Sequence, residues 1–445
     1  MDIDNRTLSS TSWLDRPITA YLPRVTVEML VVGLILLLAV VSRFAIMGER
    51  VMSHDEVNHV VPSYDLFMGR GYRHDPVTHG PLQFHLLALS YFLFGDNDVS
   101  ARIPATLFSI ATVAAVMFLF RRYLGRAGSI IAGVLFLISP YMLFYGRYTR
   151  NEAFVALWGV LTLYAVFRYL DKGRASSLFL LAAVTSLHFT TKETVYIYTA
   201  QLLLFLAVIF LESVSRDKHA RRSERNRFII FTTIAIILIL LSIGVAGYAA
   251  STVPKGEPAG DNQPAQPLPT ENPGLLAGVP TWEVALILGG VVGALLSGLA
   301  AIFFLIRALG WNGIRRHRSF DLLILVGTLI LPQLTAFPVN IVGWDPLDYT
   351  NTGMLRTGIF LVALVAISVA IGLWWRPRVW LLSAALFYTI FIVFYTTFFT
   401  NGRGFWTGII GGLGYWLSQQ EVQRGSQPLY YYALLQVPIY EYLGA

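Results

Sequence analysis

The stretch GPLQFHLLALSYFLFG, residues 80–95, decides how this chain is threaded. It is apolar, it contains His85, and it is short. A membrane span needs about 17–25 residues. If this stretch crosses a membrane, every later loop changes side. If it does not, the loops sort by charge. One side then carries Arg121-Arg122-Tyr123-Leu124-Gly125-Arg126, Arg168 to Arg174, Ser215 to Arg227, Arg307 to Arg318, and Arg376-Pro377-Arg378. Each is rich in Arg or Lys, which marks the cytoplasmic side. Residues 80–95 therefore read as a helix lying flat at the outer interface, with Phe84, Leu86, Leu87, Tyr91 and Phe92 dipping into lipid.

The rest of the chain supports a membrane setting. Of its 445 residues, 55% are hydrophobic and 13% charged, where a soluble protein would carry about a quarter charged residues. Apolar runs lie near 26–47, 102–120, 127–146, 152–168, 175–191, 194–212, 228–250, 283–306, 321–339, 354–375 and 379–399. The expectation is an all-α, multi-pass integral membrane protein with about eleven transmembrane helices and a long first external loop. The first run has no small-residue cleavage site after it and reads as a span.

The expected organisation has five parts. Residues 1–25 form a cytoplasmic N-terminus. Residues 26–250 form a transmembrane core that includes the external loop 48–101. Residues 251–282 are a Pro/Gly-rich external linker. Residues 283–399 hold the C-terminal spans. Residues 400–445 are an external or interfacial aromatic tail, in which 429–443 looks like the start of a further helix.

Several function classes are excluded or weakened. There is no cysteine, hence no disulfide, thiol nucleophile or Cys-ligated metal. The net charge of +7 falls mostly in the basic loops, so no nucleic-acid partner is expected. No Walker loop, GxGxxG, HExxH or GxSxG motif occurs, and no nucleotide cofactor is expected. The spans hold almost no charge, with only His188 and the flanking Arg43 and Arg356 coming close. A transporter would place ionisable groups near the midplane, and no internal repeat is evident.

The polar residues that remain gather on the outer side. His54, Asp55, Glu56, Asn58 and His59 follow the first span. Arg70, Arg73, His74, Asp75 and His79 lie in the same loop. Arg147, Arg150, Asn151 and Glu152 sit between the third and fourth spans, and Lys192 and Glu193 between the fifth and sixth. Asp55 and Glu56 suit a general base or a divalent-cation site. Ser53-x-x-Glu56 is equally a helix capping box. His79 stands before a Gly80-Pro81 corner that opens a helix, an anion-friendly position. It could also do no more than cap that turn. Arg147 and Arg150 suit phosphate, or could snorkel to lipid headgroups. Lys192-Glu193 is a weak signal, readable as a charged turn.

At these residues the chain resembles the GT-C superfamily of membrane glycosyltransferases, in the branch of protein O-mannosyltransferases and aminoarabinose transferases. The acidic motif opening the first outer loop is matched by His54-Asp55-Glu56. The basic residue before a Pro turn is matched by His79-Gly80-Pro81-Leu82, an Arg-[IL]-Pro motif by Arg102-Ile103-Pro104, and the second acidic residue by Glu152 after Tyr145-Gly146-Arg147. The segment from Tyr415 to Tyr432 looks like a narrower family, the "flippase activity-associated" proteins. The likeness covers about residues 25–215. Gly80 stands where a second Pro is common, and Glu152 where Asp is frequent.

The resemblance implies an inverting glycosyltransferase at the outer membrane face. It would move a hexosyl or pentosyl group from a polyprenyl-phosphate donor to an acceptor. Asp55, Glu56 and Glu152 would be catalytic, with Asp55 and Glu152 as a divalent-cation site. His79, Arg147 and Arg150 would bind the donor phosphate. His54, His59, Lys192, Glu193, Gln420 and Arg424 would line the substrate groove. Membrane lipid and partner membrane proteins are the other expected contacts. The competing expectations are a non-catalytic component of lipid-linked oligosaccharide translocation and a structural subunit of a membrane complex.

Overall fold

The computed structural model describes residues 26–252, 280–419 and 431–440. Among the described residues every regular element is helical. In chain order they are α1 (Val27–Phe44), α2 (His54–Phe67), α3 (Leu82–Phe94), α4 (Asp98–Leu119), α5 (Arg121–Ile138), α6 (Pro140–Tyr145), α7 (Glu152–Lys172) and α8 (Ala175–Phe189). There follow α9 (Val195–Ser215), α10 (Arg222–Thr252), α11 (Thr281–Ile314), α12 (Arg318–Ile330), α13 (Ala336–Ile341), α14 (Asn351–Trp375) and α15 (Pro377–Tyr395). After α15 the chain turns through Thr397, Phe398 and Phe399, all at positive φ. A further helix starts at Gly404–Trp406, widens to π-helical over Thr407–Gly411 and continues over Gly412–Ser418.

Eight helices are long and apolar enough to cross a membrane: α1, α4, α7, α9, α10, α11, α14 and α15. The other three expected spans are helical but short or broken. Run 127–146 is divided at Ser139-Pro140, where α5 ends and α6 begins. Run 175–191 is α8, with 15 residues. Run 321–339 passes through a 3-10 turn at Leu331–Leu334 that contains Pro332, a residue with no N–H for the helical ladder. The expected count of eleven depends on these three. The linker is shorter than 251–282, because α10 runs on to Thr252 and α11 starts at Thr281. Its centre, the N-terminal 25 residues, and residues 420–430 and 441–445 of the tail lie outside the described residues. Within the tail, Tyr431–Gln436 and Val437–Tyr440 are helical.

Ion pairs sort the molecule into two ends. At one, Arg121 meets Glu28 at 2.6 Å, Arg122 meets Asp171 at 2.8 Å, and Arg376 meets Asp321 at 3.0 Å. Arg318 donates to the Leu170 and Asp171 carbonyls. These are the basic loops of the sequence. The opposite end holds both termini of α3. The Leu82 N–H donates to the Thr190 carbonyl at 2.8 Å, and the Ser90 hydroxyl to the Ser100 carbonyl at 2.6 Å. The helix therefore lies across that end and does not pass through the bundle.

One expectation for α3 fails. Phe84, Leu87 and Tyr91 do not dip into lipid. They are 0%, 1% and 2% exposed and pack inside the protein, between α2 and α4. Leu86 packs with Ala105, Phe154 and Trp158. Leu89, Phe92, Leu93 and Phe94 are the outward residues. A helix apolar all round is equally suited to lipid and to protein, and the sequence pattern does not separate the two.

The largest apolar core lies where α7, α8, α9, α12 and α15 meet, around Leu178, Leu181, Leu322, Leu325, Phe387 and Phe391. α1 is fastened differently. Arg43 is fully buried and, among the described residues, has no carboxylate partner. Its Nε donates to the Ser109 hydroxyl at 3.3 Å, and Nη1 and Nη2 donate to the Leu137 and Phe136 carbonyls at 3.0 Å each. The last carbonyls of a helix have no intrahelical donors and carry partial negative charge. Arg43 supplies both hydrogen bonds and charge where α5 stops before Pro140.

Candidate functional site

Four chain segments meet at the end opposite the basic loops. The first is the start of α2. Ser53 is its N-cap, and the capping box is complete: Ser53 Oγ accepts from the Glu56 N–H, and Glu56 Oε2 accepts from the Ser53 N–H at 3.1 Å. Ser53 Oγ also bonds Tyr148 Oη at 2.7 Å. This cap fixes the first turn and leaves Asp55 half-exposed at the mouth of the site.

The second segment is the loop before α3. His79 takes a positive φ of 71°, a region seldom adopted by a residue with a side chain. Gly80 follows, its N–H donating to the Thr191 carbonyl at 3.1 Å. A Cβ there would lie 2.3 Å from the Thr190 carbonyl carbon and oxygen. Only glycine lets the two backbones approach so closely. A second Pro at position 80 would also forfeit that N–H. The result aims His79 at the third segment, where its Nδ1 lies 2.6 Å from Glu193 Oε2.

The third and fourth segments are the turn after α8 and the turn before α7. Lys192 Nζ reaches Glu152 Oε1 at 2.5 Å. Arg150 bridges the two acids: Nη1 contacts Asp55 Oδ2, and Nε lies 3.7 Å from Glu152 Oε2. His59, on the next turn of α2, stands with its ring 6.4 Å from that of His79. Burial, with the charges of His79 and Arg150, pulls its pKa down to about 3.

The cluster holds buried polar atoms with no hydrogen-bond partner: Arg150 Nε, Glu152 Oε2, His59 Nδ1 and both amide atoms of Asn151. Such atoms are uncommon in folded proteins. Here they gather beside two carboxylates and two cations, which is what a polar ligand would need.

The structure thus brings together Asp55, His59, His79, Arg150, Glu152, Lys192 and Glu193. It places other expected residues elsewhere. Glu56 is fully buried and bound by Arg102, Arg50 and the Thr149 N–H. Burial alone would raise its pKa, but the hydrogen bonds from Arg102, Ser53 and Thr149 and the charge of Arg102 outweigh that and lower it. Its carboxylate is a fixed part of the scaffold. Arg147 turns away and donates to the Ala45 carbonyl at the end of α1. His54 is exposed, with no side-chain hydrogen bond or ion pair among the described residues. Gln420 and Arg424 lie outside the described residues. Asn151 was not expected in a role; its adjacency to Arg150 and Glu152 was the available signal.

The two carboxylates expected to hold a cation face cationic side chains of the chain itself. Asp55 is paired with Arg150, and Glu152 with Lys192 and Arg150. A cation would have to displace or sit against these two side-chain charges. Among the described residues no group of three His, Asp or Glu is placed to hold a metal ion.

Residues 78–245 match the family described as dolichyl-phosphate-mannose-protein mannosyltransferase. The resemblance to GT-C glycosyltransferases is borne out. The matched segment contains His79, Arg102, Arg150, Glu152, Lys192 and Glu193, and stops short of Asp55. No curated protein matches the sequence. Solved structures of the Archaeoglobus fulgidus oligosaccharyltransferase are similar to the chain at a distance. The complex with Zn and sulfate shares 12% identity at a TM-score of 0.37, over 91% of this chain and 54% of that one. The complex with an inhibitory peptide and a dolichol-phosphate shares 13% at 0.37, over 94% and 55%. The form tethered to an acceptor peptide shares 12% at 0.38, over 92% and 56%. This chain spans little more than half the length of those proteins, and a likeness so distant carries no weight for the chemistry.

Proposed function

We propose that the chain transfers a sugar from a polyprenyl-phosphate donor to an acceptor hydroxyl at the outer membrane face, with inversion. The observation that carries this reading is the Asp55–Arg150–Glu152–Lys192 chain of charges, built from separate segments and edged by unpartnered polar atoms. It also rests on the family match over residues 78–245.

The roles follow from chemistry. Arg150 and Lys192, with His79 beside them, form the phosphate-binding side, where fork-shaped and point-charge donors complement each other. Asp55 is the general base, since it is the accessible carboxylate. Glu152 positions Lys192 and Arg150. The acceptor oxygen attacks the anomeric carbon and passes its proton to Asp55. The bond from that carbon to the phosphate oxygen breaks, and polyprenyl phosphate leaves with the electron pair. Arg150 and Lys192 neutralise the leaving group. No step is assigned to a metal.

The test uses purified protein in lipid nanodiscs with a labelled polyprenyl-phosphate sugar panel. Wild type should release polyprenyl phosphate in the presence of acceptor extract. Asp55→Asn should cut the rate about 10²–10⁴-fold, the usual range for a lost general base. Unchanged turnover in that variant would remove Asp55 from the mechanism. Sugar-lipid scrambling in liposomes that needs no acceptor would favour a translocation role.

A further inference from the structure

Beside the charge cluster, at the same end of the molecule, is a separate cavity of about 1000 Å³. Its walls are the loop after α2 (Arg70, Tyr72, Arg73, His74), the start of α14 with Tyr349, and the loop after α15 (Asn401, Arg403, Trp406, Thr407). Among the described residues no Asp or Glu lines it. Arg70 is held by Asp65 at 2.7 Å. Arg73 and Arg403 have no ion-pair or side-chain hydrogen-bond partner among the described residues. Among the described residues, the cavity therefore carries two guanidinium groups without a counter-charge.

Its inner wall is polar and buried. His74, 6% exposed, shares a hydrogen bond with Thr407 Oγ1 through Nδ1 at 2.9 Å. Its Nε2 and the Tyr349 hydroxyl are buried without hydrogen-bond partners among the described residues. The wall is also tightly fitted. A Cβ at Gly411 would lie 2.5 Å from Pro76 Cγ and 2.6 Å from Tyr349 Oη. On the far side, a Cβ at Gly412 would meet Glu193 Cγ at 3.4 Å. Only this one layer, His74 to Pro76 against Thr407 to Gly412, separates the cavity from the Glu193–His79 pair.

Two free arginine forks select carboxylate or phosphate. The Trp406 and Tyr349 rings offer flat amphipathic surfaces suited to the C–H face of a pyranose. We propose that this cavity binds an anionic saccharide, one bearing carboxylate or phosphate groups, beside the transfer site and walled off from it. As a binding site it does not rest on the transferase reading above.

Binding to full-length protein in nanodiscs separates the possibilities. The probes are a trigalacturonate, a sugar phosphate, the neutral maltotriose, and a short-chain polyprenyl phosphate. The anionic saccharides should bind at least about tenfold tighter than maltotriose, since a charge-assisted hydrogen bond is lost without the anion. Preference for the uronate identifies a carboxylate-bearing ligand, and preference for the sugar phosphate a phosphorylated one. Arg73→Gln and Arg403→Gln should each weaken that binding about tenfold or more and leave polyprenyl-phosphate binding unchanged. Arg403→Lys should recover part of it, which controls for misfolding. Equal binding of neutral and anionic saccharides would overturn the proposal. So would variants that weaken only polyprenyl phosphate, which would make the cavity part of the donor site. If saccharide binding responds to Arg73 and Arg403 but no polyprenyl phosphate is ever released, the cavity stands and the transferase reading fails.

Discussion

Arg102 meets Glu56 with two nitrogens, Nε on Oε1 at 2.9 Å and Nη2 on Oε2 at 3.2 Å, and water reaches neither side chain. Two of the motif residues that carry the family resemblance are thus partners in one buried ion pair. Arg102 also donates to the Met47 carbonyl, so the pair ties α4 to the end of α1 and the start of α2. Removing one member of a buried pair leaves the other uncompensated, at a cost of about 3–5 kcal/mol. Glu56→Gln and Arg102→Leu should therefore lower stability sharply, read as thermal unfolding in nanodiscs. Asp55→Asn, at the exposed neighbouring position, should leave unfolding almost unchanged. Equal destabilisation by all three would contradict this division between scaffold and site.

Arg150 joins two carboxylates. Its replacement by Gln should raise the KM for the lipid-phosphate donor about tenfold or more, the value of a charge-assisted hydrogen bond. Glu152→Gln should have a weaker effect on KM and a stronger one on kcat, because Lys192 loses its anchor and the leaving group its positioned cation. Steady-state kinetics on both variants would decide; identical changes in KM and kcat would mean that the two residues act only as a unit.

Gly80→Ala is expected to be worse than its size suggests. The added carbon would lie 2.3 Å from the backbone of Thr190, which cannot rotate away as a side chain can. Overpacking of this kind costs about 1–3 kcal/mol. It should also shift His79 from Glu193. Both a lower unfolding temperature and reduced turnover should follow, whereas Gly69→Ala, where the added carbon meets open space, should lose only what its positive φ imposes.

Buried histidines set an acid limit. Burial pulls the pKa of His59 down to about 3 and that of His74 down to about 4. In the unfolded chain both titrate near 6.5. Between those values the unfolded chain takes up protons that the folded chain refuses. Stability should be full above about pH 6.5 and fall as the pH drops, with a slope of about 1.4 kcal/mol per unit for each histidine. The fall should level off near the folded values. His74→Gln should reduce the slope between pH 6 and 5, and an unaltered slope would show that His74 titrates normally.

Much of this was legible in the sequence. The basic loops gather at one end and Asp55, His59, His79, Glu152 and Glu193 at the other, because charge placement along a multi-pass chain alternates with its crossings. The capping box at Ser53 and Glu56 was readable from spacing alone. The pairing of Glu56 with Arg102 was not, since no local pattern records a contact across 46 positions. The burial of Phe84 and Tyr91 was hidden because lipid and protein interiors select the same side chains. The cavity walls come from Arg73 and Arg403, which only the folding of the last helices brings together.

Arg43 gives the first helix a duty that an anchor would not have. The chain cannot exchange α1 for an arbitrary apolar segment of equal length, because the carbonyls of Phe136 and Leu137 would then lose the donor that Arg43 supplies. Fusions, tags or signal sequences grafted in place of α1 must keep an arginine in register with Phe136 and Leu137. Otherwise the turn into α6 and α7, and with it Arg150, loses the clasp that holds it beside α2.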